Sequence, residues 1–247
     1  MGRSMMILLG IVFCVAAAWR LSGMEERYYR RFLCFLGVAL LISELWKQWV
    51  LTFQVYDGHY NVWYFPFQLC SLPLYLCPVY GMAPERWRRC IDIFLMDFTL
   101  MGGIAVFIDQ SGMQYSLSAL TMHSYLWHFI LIFLGCLSGF RFAAAGRGES
   151  LRDGLRHFTR SLPIWAAGVV IATVLNVALW PLGEISMFYI SPFEASTQIV
   201  FRDIAARFGI AIGNLAYLAV MVIAAALFHL GWCVVRECFR KRLRTVG

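Results

Sequence analysis

The sequence is short of charge. Only 14% of its 247 residues are Asp, Glu, Lys or Arg, against about 25% in soluble domains. With 61% hydrophobic residues and a mean hydropathy of +0.68, a water-facing fold of this length has too little polar surface to cover its apolar side chains. That excludes an ordinary soluble domain and points to lipid as the solvent. The sequence also lacks an internal repeat, a low-complexity segment and any soluble cofactor motif. Its eight cysteines lie in or beside apolar stretches, none in a loop expected outside, so no disulfide framework is expected. The net charge of +7 is read as a topology signal, because positive residues orient membrane helices, and not as nucleic-acid binding.

What is present is a series of apolar runs. A spanning helix needs about 20 residues, and seven candidates fit: about 4–19, 32–53, 66–83, 88–108, 119–140, 161–182 and 206–234. The expected fold is all-α, a single seven-helix integral membrane domain over 1–247 with no soluble domain before or after it. Basic residues cluster in alternate loops: Arg20, Arg27, Arg30 and Arg31 after the first run, Arg86, Arg88 and Arg89 after the third. Further clusters follow the fifth run, around Arg141 to Arg160, and the seventh, from Arg236 on. This predicts an outside N-terminus and a cytoplasmic C-terminus.

With that orientation, polar residues from five helices fall in one outer half. These are Glu44, Lys47 and Gln48 on the second run, Gln68 and Cys70 on the third, and His123 and His128 on the fifth. Asn176 on the sixth and Asn214 on the seventh complete the set, with Asp97 near mid-depth. Intramembrane polar groups face the bundle interior and commonly mark function, so a polar outer-half cavity is expected. Glu44, Lys47 and Gln48 share one helix face, as a cavity wall or as an ion pair that neutralises itself. His123 and His128 diverge by roughly 140° at about 100° per residue, which disfavours a shared metal; no metal and no cofactor is expected. His59, His157 and His229 look incidental. Pro66 suits a first helical position, which puts Cys70 in the second turn, near the helix dipole's positive end, a place that favours thiolate. The loop 183–203, rich in aromatics, reads as a lid or as an interfacial connector.

The stretches "FQLCSLPLY", "HSYLWHFILIFLG" and "MFYISPF", with Asn176 between them, resemble the YwaF-like integral membrane proteins, a family that includes eukaryotic transmembrane protein 164. The resemblance covers roughly residues 66–203. It implies cysteine-dependent acyl transfer between phospholipids, with Cys70 as nucleophile and His128 as base. The family pattern often carries histidine two residues before the cysteine, where this chain has Gln68. The expected function is therefore a lipid acyltransferase or acyl hydrolase, with catalytic Cys70, His128 and His123. Glu44, Lys47, Gln48, Gln68, Asn176 and Asn214 are the expected substrate-binding residues. Gln68, Asn176 and Asn214 are candidate donors to the oxyanion. The expected partners are a phospholipid or lysophospholipid substrate and the bilayer, in a bacterial plasma membrane. The alternative is a non-catalytic seven-helix transporter or receptor.

Overall fold

The computed structural model describes residues 2–145 and 151–246, and all regular structure among them is helical. Ten α-helices follow in order: α1 (Arg3–Leu21), α2 (Glu26–Val50), α3 (Leu72–Val79), α4 (Glu85–Phe94), α5 (Leu100–Ala105), α6 (Ser118–Ala145), α7 (Leu151–Phe158), α8 (Leu162–Leu179), α9 (Ile199–Phe208) and α10 (Ile210–Val246). A π-helical turn, Leu51–Val55, prolongs α2, and another, Leu95–Thr99, joins α4 to α5.

Five of these helices are long and apolar enough to cross a membrane: Ser4–Leu21, Glu26–Val55, Ser118–Ala145, Leu162–Leu182 and Ile210–Lys241. Large apolar side chains on them, among them Phe13, Phe35, Ile42, Val170, Leu215 and Leu227, are exposed. That is the pattern of a surface in contact with lipid tails. The other two expected spans differ. Residues 85–105 form one helical rod, but Arg88, Arg89, Asp92 and Asp97 interrupt its apolar character. The segment expected at 66–83 is extended at its start, turns at Leu69–Ser71, and is α-helical only from Leu72 to Val79. Pro73 sits in the first turn of α3 and Pro78 inside it. Proline lacks the N–H that would extend a helix backward, so α3 starts at Pro73's turn and not at Pro66.

Helix α6 is the centre of the bundle. In its apolar window 56% of residues are buried, against 17–28% for the other four. It runs antiparallel to α2: His123 meets Ser43 near one end, and Ser138 meets Tyr29 near the other. The same two levels bracket the third segment. The Tyr64 carbonyl accepts from Gln48, late in α2. Tyr80, past α3, and Tyr29, early in α2, both donate to Asp92 at 2.8 Å. Residues 64–80 thus traverse the depth between Gln48 and Tyr29, about 28 Å at 1.5 Å per helical residue. Gly37 makes this possible, since a Cβ there would lie 2.5 Å from the Pro78 ring. At the Tyr29 level, Glu26 pairs with Arg30 and Arg141, and more loosely with Arg88, tying the starts of α2 and α4 to the end of α6.

Candidate functional site

The site is built where the late part of α2, the 3-10 turn before α3, the first turns of α6 and the loop 183–198 meet. Cys70 lies in that turn, two residues ahead of α3, and is half-buried. It is therefore outside the helix whose second turn it was expected to occupy. Its backbone carbonyl accepts a hydrogen bond from Trp127 Nε1 at 3.2 Å, which ties it to α6 one residue before His128. The charges that act on its thiol are those of Lys47 and Glu44, and the hydroxyls of Tyr115, Tyr189 and Tyr217 share its surroundings.

The two histidines of α6 have different partners, as their spacing requires. His123 Nε2 is 2.7 Å from Ser43 Oγ, and its ring packs between Trp46 and Trp127. His128 is buried, and its Nδ1 is 2.7 Å from the Ser124 carbonyl. A carbonyl only accepts, so Nδ1 carries a proton and the neutral ring keeps its lone pair on Nε2. No hydrogen bond joins the Cys70 sulfur to either ring among the described residues. His128 is nonetheless held in the tautomer that a base acting through Nε2 needs.

Glu44 is 3% exposed and paired. Lys47 Nζ lies 2.8 Å from its Oε1, and Gln48 Nε2 donates to the same oxygen at 2.6 Å. Glu44, Lys47 and Gln48 thus form one neutral group on α2, as the face they share allows. Gln48 Oε1 is buried with no donor among the described residues, an acceptor still open to a bound hydroxyl or water.

Gln68, Asn176 and Asn214 are committed elsewhere. Gln68 Nε2 donates to the Ser186 carbonyl at 2.9 Å, and its Oε1 accepts from Phe188 N–H at 2.7 Å. Asn176 closes a similar two-bond clamp on Met187. Asn214 Nδ2 donates to the Ser191 carbonyl at 2.9 Å. The three amides hold the loop 183–198, each through one N–H of its NH2 group, and the second N–H of each has no bond among the described residues. They support the site by fixing that loop beside it. The loop is packed into the protein at its centre, where Ile185, Ser186, Met187, Phe188, Ile190 and Ser191 are all buried, while Gly183, Glu184, Pro192 and Phe193 around them are exposed. Phe188 and Tyr189 both have φ of +57°, a left-handed pair costing about 1–2 kcal/mol per residue. The side-chain clamps and the burial of Met187 and Phe188 offset that strain. Such strained backbone clusters at functional sites.

One functional-looking residue escaped the sequence reading. His229 on α10 is fully buried and is not incidental. Its Nδ1 lies 2.9 Å from Asp97 Oδ2, and its Nε2 lies 2.8 Å from the Gly154 carbonyl on α7. The carbonyl requires a donor at Nε2, so Asp97 and His229 hold a single proton between their facing atoms. Asp97 Oδ1 and Thr99 Oγ1, both on the π turn, have no partner among the described residues. The available signal was Asp97 itself, because a carboxylate placed in a membrane requires a partner. Among the described residues, no three His, Cys, Asp or Glu side chains gather as a metal site would need. In comparisons with known proteins, no family model matches the chain, and no curated protein or solved structure matches it either.

Proposed function

We propose that the chain is an integral membrane enzyme that moves acyl groups between phospholipids or releases them to water, with Cys70 as nucleophile and His128 as base. The observation that carries this reading is the pairing of two placements on adjacent residues of α6. Trp127 holds the Cys70 backbone, and His128 presents an unprotonated Nε2 fixed by its bond to Ser124. A thiol nucleophile needs a base whose other nitrogen is held by an acceptor, and of the two histidines only His128 keeps Nε2 unengaged among the described residues.

In the proposed reaction Cys70 Sγ bonds to the acyl carbonyl carbon, and the thiol proton passes to His128 Nε2. The ester C–O bond then breaks, and the leaving lipid hydroxyl takes that proton. A second hydroxyl, from a lysophospholipid or from water, gives its proton to His128 and attacks the thioester. This releases the new ester or the free acid and restores the thiol. The Lys47 ammonium, which Glu44 shares, and the second N–H of Gln68 are the donors assigned to the developing oxyanion.

The proposed topology keeps seven crossings, with the N-terminus outside, in a bacterial plasma membrane. The traverse of residues 64–80 between the two ends of α2 supports a short third crossing. The gathering of Glu26, Arg30, Arg88 and Arg141 supports a single basic end. The test of function is lipid turnover in proteoliposomes: Cys70→Ala should abolish it while the protein stays folded, and full turnover by that variant overturns the reading.

A second reading rests on Asp97 and His229. A buried pair sharing one proton, beside two unpartnered oxygens, is the kind of group a proton-coupled transporter uses. Proton uptake by proteoliposomes that is lost in His229→Gln but kept in Cys70→Ala favours that reading over the enzyme.

A further inference from the structure

A cleft of about 510 Å³ opens at the start of α2, lined by Glu26, Arg27, Arg30, Arg31, Cys34 and Gly81. It is remote from Cys70, since Arg31 and Lys47 are about 24 Å apart along α2 at 1.5 Å per residue. Its charge is unbalanced. Glu26 is its one acid, and it is already engaged by Arg30, Arg88 and Arg141. Glu85 is held by Arg89. Arg27 and Arg31, an exposed i, i+4 pair, have no ion-pair or hydrogen-bond partner among the described residues. Two guanidiniums in that arrangement present fixed forks of donors suited to phosphate oxygens.

The same face continues into apolar surface. Arg27, Arg31, Phe35, Val38 and Ile42 fall within about 80° of arc at 100° per residue. Phe35, Val38 and Ile42 are 70%, 43% and 63% exposed. A phosphate bound at the arginines therefore has a strip of exposed aromatic and aliphatic side chains running from it along the helix. A soluble anion has no use for that strip, whereas an acyl chain does.

We propose that this cleft holds the headgroup of an anionic glycerophospholipid, with its phosphate on Arg27 and Arg31 and one acyl chain along Phe35, Val38 and Ile42. The site is separate from the Cys70 chemistry and stands whether or not the protein is an enzyme. Basic pockets between helices at a membrane boundary bind such headgroups.

The test is native mass spectrometry of the full chain, extracted from vesicles of equal phosphatidylglycerol and phosphatidylcholine, scoring which lipid stays bound. Wild type should retain phosphatidylglycerol. Arg27→Gln with Arg31→Gln should cut that preference roughly twenty-five-fold, about fivefold for each guanidinium. Gly81→Leu is the second variant. A Cβ at Gly81 meets nothing within 4 Å, so the side chain fills the cleft without disturbing the fold and should displace the lipid with both arginines in place. Arg202→Gln with Arg207→Gln should leave the preference unchanged. Undiminished phosphatidylglycerol in the arginine double variant overturns the proposal, as does an unaltered preference in Gly81→Leu. Release of the lipid from wild type by millimolar inorganic phosphate makes the site one for free anions and overturns it too.

Discussion

Gln68 Oε1 accepts the Phe188 N–H at 2.7 Å, a bond between residues 120 positions apart. It connects the turn that carries Cys70 to a strained loop, and with Asn176 it fixes the backbone of residues 186–188. The surroundings of the thiol therefore depend on amides that bind the backbone of a distant loop.

Removing the Gln68 amide should loosen that loop. Gln68→Ala leaves the Phe188 N–H unsatisfied, which costs about 1–3 kcal/mol. The thermal midpoint of the protein in detergent should fall accordingly, and Asn176→Ala should do the same. An unchanged midpoint in both alanine variants contradicts the clamp.

Asp97 and His229 should behave as a buried pair. Breaking such a pair costs about 3–5 kcal/mol when a charge is left alone. His229→Ala should therefore destabilise strongly. Asp97→Asn replaces the carboxylate with a neutral amide that can still bond Nδ1, so its loss should be clearly smaller. Thermal unfolding of the two variants side by side checks the order, and equal losses contradict the shared-proton description.

The proposed topology makes a labelling prediction. Single cysteines at Asp57 and Ser111, in a chain stripped of its own cysteines, should react with an impermeant maleimide added outside intact cells. Those at Arg160 and Thr245 should react only after lysis. Labelling of Ser111 only after lysis contradicts seven crossings.

Much of the framework was legible because it depends on length and apolarity alone. The spans built from α1, α2, α6, α8 and α10 are long apolar runs, and the placement of His123 beside the late part of α2 follows from helix rise. The third segment was less legible, since Pro66 and Pro73 both suit a helix start, and the chain stays extended or in a 3-10 turn until Leu72. The loop 183–203 was not legible. Its aromatics fit an interface as well as a core, and its burial rests on side-chain clamps from Gln68, Asn176 and Asn214. Those amides suit an oxyanion or a backbone equally well by type. His229 went unread because it stands alone on its helix, and its partner lies 132 residues away.

His123 and His128 should separate experimentally. A general base contributes about 10²–10⁴-fold to rate, so His128→Ala should cost that much lipid turnover. His123→Ala loses the Ser43 contact and should lower stability more than rate. The reverse ranking, read from turnover per folded protein, contradicts the assignment.

The most direct measurement is the mass of the Cys70-bearing peptide after the protein meets phospholipid in vesicles and is quenched in acid. The account predicts one acyl group on that peptide, removed by neutral hydroxylamine as a thioester, absent from Cys70→Ala and strongly reduced in His128→Ala. An unmodified Cys70 in protein that turns over lipid, or an adduct on another residue that persists in Cys70→Ala, contradicts it.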